Sequence, residues 1–253
     1  MADQFPKPKL PRPDRLLGRS EAAGKGQEQP KEILERYRKA GKRRSMLMGL
    51  SDATGSMAGI WSTTRAQIGK MIERVSELGD FSMNWVAYRD YGDGPRILEP
   101  SGWQTDARAL TRFLNGIECI GGEDWEEAVE RALEYAAKDQ QATRVVLIGD
   151  APPHPDRDFR EQASRLGGMN RKVFCFVVGG SADTRAAFGE IARLSGGLCT
   201  DLTSERDLLD FVALTMVDDM GGGTSVDSFL EKHAKQLSPG TIAFAKALQA
   251  PKA

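Results

Sequence analysis

The 253-residue chain contains no apolar run approaching the roughly 20 residues that a membrane-spanning helix needs, and no apolar leader opens it. Histidine is scarce, with only His154 and His233, and no Cys/His spacing matches a zinc site. Cysteine is scarce too. Cys119, Cys175 and Cys199 are odd in number, far apart and mostly flanked by apolar residues. They read as buried free thiols, which suits a reducing compartment and a cytoplasmic location. Neither sign of charge dominates: 35 basic residues against 36 acidic ones leave −1. No global field therefore recruits nucleic acid or a membrane surface.

What is present is a 40% apolar fraction, enough for one sizeable core once polar tails are set aside. Residues 1–30 carry Pro6, Pro8, Pro11, Pro13 and Pro30 among Lys, Arg and Gly, and read as a disordered arm. Within them Gly18 to Lys25 is one residue too long for a phosphate loop and is followed by neither Ser nor Thr. Residues 31–44 place Ile33, Leu34 and Tyr37 on one face of a short basic helix ending in Lys39, Lys42, Arg43 and Arg44. Residues 221–253 read as a glycine linker and a short helical tail, broken at Pro239-Gly240. That tail either folds back on the domain or docks to another protein.

Between them, residues 45–220 alternate short apolar runs with amphipathic stretches. Strands are expected at 46–50, 81–91, within 96–103, at 145–148, 173–178 and 198–200. Helices are expected at 60–78, 106–116, 125–138, 159–166, 184–194 and 205–220. This alternation implies an α/β, doubly wound, Rossmann-like sheet with helices on both faces and ligands at the carboxyl ends of its strands.

Acids recur at those ends. After the first strand come Asp52, Thr54 and Ser56 at alternate positions, an oxygen-only set suited to Mg²⁺ or a similar small divalent ion. The competing reading is a helix cap. Gly121-Gly122-Glu123-Asp124-Trp125-Glu126-Glu127 is a later acidic loop, and Ile148-Gly149-Asp150-Ala151-Pro152-Pro153-His154 closes another strand with an acid.

Over about residues 43–218 these motifs resemble the von Willebrand factor A (VWA) family and its metal-ion-dependent adhesion site. Tyr88-Arg89-Asp90, Gly-Gly-x-Asp and Asp-Ala-Pro-Pro-His look most like the intracellular, alpha-kinase-linked branch. The resemblance implies a six-stranded, mostly parallel sheet with one antiparallel edge strand. It also implies a Mg²⁺ (or Mn²⁺) site built from Asp52, Thr54 and Ser56, with Asp124 from the second loop and Asp150 from the third. The second loop departs from the family pattern, because acids replace its usual threonine. Glu123 is an alternative ligand to Asp124, and Asp124-x-x-Glu127 also fits a capping box, with Glu126 and Glu127 read as helix-favouring acids. A third carboxylate would hold metal more tightly and attract an incoming acid less.

The expected function is a non-catalytic, metal-dependent protein-interaction module, a scaffold or adaptor. Family resemblance points to partners such as a kinase or an AAA+ ATPase. The alternatives are a Mg²⁺-dependent phosphatase or phosphotransferase, and a structural domain with a vestigial site. Against phosphoryl chemistry, Thr54 stands where a second acid is wanted, and no lysine follows Asp150 closely.

Overall fold

The computed structural model describes residues 45–59, 61, 65, 81–122, 124–179, 181–202, 205–221, 226–227, 230–231 and 237–249. The proline-rich arm, the basic segment 31–44, most of the helix expected at 60–78, Glu123 and most of the glycine linker lie outside these residues.

Six strands form one sheet: β1 (Ser45–Asp52), β2 (Phe81–Tyr88), β3 (Leu98–Gln104), β4 (Arg144–Gly149), β5 (Lys172–Val177) and β6 (Cys199–Asp201). Their order is β3-β2-β1-β4-β5-β6, with β3 antiparallel at one edge and every other pairing parallel. Six α-helices are described: α1 (Ala107–Gly116), α2 (Val129–Lys138), α3 (Phe159–Gly168), α4 (Ala182–Ser195), α5 (Glu205–Gly221) and α6 (Pro239–Gln249). The expected α/β doubly wound architecture is the observed one.

Alternation along each central strand sorts side chains between two buried layers. Leu47, Val146, Ile148, Phe174 and Phe176 join the layer shared with α1, α5 and α6. Met48, Leu50, Val145, Leu147 and Cys175 join the layer shared with α2, α3 and α4. The central strands are buried on both faces, so they read as continuous apolar runs. At Gly49 in β1 an added Cβ would stand 2.3 Å from Trp85 Cε3, so glycine is what lets the indole lie flat on the strand. The same indole donates from Nε1 to Ser51 Oγ at 2.8 Å, which satisfies its buried N–H.

The helix expected at 125–138 begins later, at Val129, after Ala128 as N-cap. Glu127 N–H donates instead to Pro152 O at 3.0 Å, and Glu127 forms a parallel bridge with Pro153. That pairing holds the residue extended and rules out Asp124-x-x-Glu127 as a cap of this helix.

The tail folds back. Phe244 of α6 is 4% exposed, with its ring centroid 4.8 Å from Phe211, 5.9 Å from Phe176 and 6.0 Å from Phe174. Phe244→Ala is expected to lower the unfolding free energy by about 3–5 kcal/mol in urea titration, as for other buried aromatics. A change under about 1 kcal/mol would show that α6 is not part of the cooperative core.

Candidate metal centre

Parallel pairing of β1 with β2 and β4 brings their carboxyl ends to one rim, with Asp52 opposite Tyr88 and Ser51 opposite Ile148. The loops leaving these strands are stitched together by backbone bonds. Ala53 N–H donates to Tyr88 O at 2.9 Å, Ile120 N–H to Ala53 O at 3.2 Å, and Gly55 N–H to Gly121 O at 3.2 Å. Gly121 and Gly122 both adopt φ of +79°, a region that L side chains avoid. A Cβ on Gly122 would lie 3.0 Å from Glu127 Oε1 and 3.2 Å from Thr54 Cβ. The glycine pair therefore lets the second loop close onto the first.

Asp52, Thr54, Ser56 and Asp150 meet in one hydrogen-bonded chain. Asp52 Oδ1 accepts from Thr54 N–H at 2.8 Å and from Thr54 Oγ1 at 2.7 Å. Thr54 Oγ1 stands 3.1 Å from Ser56 Oγ, which donates to Asp150 Oδ1 at 3.2 Å. Asp52 is fully buried, and its second oxygen, Oδ2, has no partner among the described residues. An isolated buried carboxylate oxygen costs several kcal/mol unless it is protonated or ligated.

Asp124 is exposed and lines a cleft of about 70 Å³ with Thr54, Ser56, Gly122, Trp125 and Glu127. Glu127, read from the sequence as a helix-favouring acid, is 3% exposed. It neighbours Thr54 across Gly122, and its Oε2 is unpartnered. A sequence signal for it existed in the run of acids, but its burial depends on the distant Pro152-Pro153 segment.

Electrostatics follow from this crowding. Burial, aided by the charge of Asp150 and opposed by the Thr54 N–H, raises the Asp52 pKa from 3.8 to about 7. Burial, then the charge of Asp52, raises Glu127 from 4.5 to about 9. Asp52, Thr54, Ser56 and Asp150 make an oxygen-only, acid-crowded chain whose chemistry suits a small hard cation, with Glu127 buried nearby.

Behind the rim, Arg89 is fully buried and donates to Arg96 O at 2.8 Å and Glu118 O at 2.7 Å. Its ion pair is with Glu99 of β3 rather than with Asp90. Asp90 pairs instead with His154, Oδ1 to Nε2 at 2.7 Å. Arg89 thus buttresses the loops through their carbonyls.

A pH dependence follows for the metal-free protein. Between about pH 4 and pH 7 the fold keeps a proton on Asp52 that the unfolded chain releases, and Glu127 extends the window towards about pH 9. Stability in chelator should therefore fall as pH rises from 5 to 8. Asp52→Asn keeps an acceptor for Thr54 and removes the charge. It should be the more stable protein at pH 8 by about 1–3 kcal/mol, with a flatter pH profile in thermal melts. Parallel profiles for the two proteins would refute a strained Asp52.

No family model matches the chain. Over 120 residues it is 30% identical to a protein of Acanthamoeba polyphaga mimivirus that carries the name ariadne-like RING finger protein, a stretch covering 45% of this chain and 12% of that one. Among solved structures it resembles the pilus adhesin SpaC of Lactobacillus rhamnosus GG (TM-score 0.57, 9% identity, 71% of this chain and 31% of that one). It also resembles a von Willebrand factor type A structure from Catenulispora acidiphila (TM-score 0.53, 17% identity, 70% and 43%). A third is proximal thread matrix protein 1 of the mussel byssus with a zinc-occupied MIDAS motif (TM-score 0.52, 11% identity, 68% and 48%). The chain spans less than half the length of each of these proteins. At such identities the structural likeness speaks to fold alone, and the fold is that of a VWA domain.

Proposed function

We propose that the chain is a non-catalytic protein-interaction module that engages a partner through a Mg²⁺- or Mn²⁺-dependent site at this rim. The observation that carries the reading is the buried, unpartnered Asp52 Oδ2 at the head of the Asp52–Thr54–Ser56–Asp150 chain. Asp52, Thr54, Ser56 and Asp150 would hold the ion, with an acid of the second loop. Asp124 is the acid expected from the motif. The geometry favours Glu127 as the inner one, beside Thr54, with Asp124 towards the solvent. A bound divalent ion would offer an open coordination position to an oxygen of the partner.

The chain's own residues set the rest. Thr54 and Ser56 hold their hydroxyls towards the acids, and the second loop walls the cleft. Trp125, 51% exposed beside it, offers an apolar contact at the mouth. Such an exposed aromatic next to a polar cleft suits a protein surface. The mussel protein's zinc-occupied motif on a similar fold is consistent with metal use here.

Turnover is not part of this reading. No lysine lines the cleft among the described residues, and Thr54 donates to Asp52 where a second acid would have to act. The signatures ending at Asp90, Asp124 and His154 favour the intracellular, alpha-kinase-linked branch of the family. Cys175 and Cys199, opposite one another on β5 and β6 as free thiols, fit a reducing, cytoplasmic setting. The partner would be a protein, such as a kinase or an AAA+ ATPase.

The test compares wild type with Asp52→Ala. Calorimetry on chelator-treated wild type should show one Mg²⁺ bound, with thermal stabilisation of about 2.7 kcal/mol at a hundredfold excess over Kd, and neither in the variant. Proteins captured in Mg²⁺ by wild type should be lost both with the variant and with chelator. Identical capture under all three conditions would leave the site without a binding role. Mg²⁺-dependent hydrolysis of p-nitrophenyl phosphate by wild type and not by the variant would favour the phosphatase alternative.

A further inference from the structure

The three loop signatures end on residues of which the proposed site claims only Asp124, as its solvent-side acid. Tyr88-Arg89-Asp90 ends on Asp90, Gly121-Gly122-Glu123-Asp124 on Asp124, and Asp150-Ala151-Pro152-Pro153-His154 on His154. They follow β2, α1 and β4 respectively, and they converge. One ligand-capable atom from each lies within 4.8 Å of the others. We propose that Asp90, Asp124 and His154 form a second cation site, for a borderline metal of the Zn²⁺ class, beside the oxygen-only rim site.

The donor set decides the class. One imidazole nitrogen and two carboxylates suit Zn²⁺ and its first-row neighbours, whereas Mg²⁺ takes oxygen ligands only. Ligand atoms about 2.1 Å from a common ion stand roughly 3–4 Å apart, so the 2.7 Å Asp90 Oδ1–His154 Nε2 hydrogen bond would give up its proton and open slightly to admit an ion. The remaining closure falls to Asp124, which is exposed and whose Oδ1 accepts from Glu126 N–H at 3.1 Å.

The surroundings are those of a supported ligand pair. Asp90 is 3% exposed, and Asp93 Oδ2 accepts from Asp90 N–H at 3.1 Å, fixing the turn. The His154 ring packs edge-on against Tyr91, with centroids 5.4 Å apart. Tyr91 in turn donates to Glu130 Oε1 at 2.6 Å. Glu130, 6% exposed and near enough to act on His154 electrostatically, keeps Oε2 without a partner among the described residues. A bound cation would neutralise the two buried acids, Asp90 and Glu130, that flank this histidine opposite the Arg157 guanidinium stacked on Tyr91. Proline at 152, 153 and 155 stiffens the segment that presents the ring.

The site stands on its own geometry and does not depend on metal at Asp52. Its test is Zn²⁺ titration of the full chain with Mg²⁺ in excess, followed by calorimetry, with Co²⁺ absorption as a second readout. Wild type should take up one Zn²⁺, and Asp52→Ala should keep it. His154→Ala and Asp124→Asn should each weaken Zn²⁺ by at least about tenfold and alter the Co²⁺ spectrum. Asp124→Asn changes an exposed side chain, so its melting temperature in chelator should match wild type, and it decides the matter if His154→Ala fails to fold. No Zn²⁺ uptake by wild type overturns the proposal. So does uptake unchanged in Asp124→Asn, or uptake lost in Asp52→Ala, which would place the ion at the rim site. Failure of the rim-site reading would appear separately, as Mg²⁺ binding and protein capture indifferent to Asp52→Ala.

Discussion

A carboxylate held out of water at the end of a central strand is the constraint on which this rim is organised. Asp52 is fully buried with one oxygen bonded and one left over. Its charge is disfavoured by burial and by Asp150, an unfavourable interaction that a bound cation would relieve. Stability of the scaffold has to come from elsewhere. It comes from two apolar layers packed on a sheet whose central strands are buried on both faces.

That scaffold tolerates the strain because the loops around Asp52 are bound to one another rather than to solvent. Backbone bonds join the first loop to the β2 exit and to the glycine loop, and join Glu127 to Pro152 and Ala128 to Arg89. Arg89 adds side-chain bonds to two further carbonyls from a fully buried position. Displacing one loop would strand buried polar groups in several others, so the rim moves as a unit or not at all.

Crowding of acids gives the rim its chemical division. Asp52, Asp150 and Glu127 lie with hydroxyls, whereas Asp90 and Asp124 lie with an imidazole. The second loop contributes to both groups, Glu127 turned inward and Asp124 outward. Hard and borderline cations would therefore find different donors only a few residues apart on the same chain.

The strands and the first loop were legible because their signals are local. Apolar runs of strand length, the alternation of Asp52, Thr54 and Ser56, and Gly149-Asp150 after a strand all depend on neighbours within a few residues. The six-stranded sheet with its antiparallel edge was what the resemblance to the VWA family implied. Glu127 was not legible. Its neighbours favour a helix start, and only the bridge to Pro153 holds it extended and buries it. Nor could sequence pair Arg89 with Glu99 or Asp90 with His154, since adjacent residues of opposite charge suggest each other first. The tail's amphipathic pattern fitted either a partner or its own domain, and the phenylalanine cluster around Phe244 decided for the domain. The sequence by itself determined which residues could be strand, helix or ligand, because those choices rest on local geometry. Tertiary structure alone decided which acids share a site, because that rests on contacts between loops that are far apart in the chain.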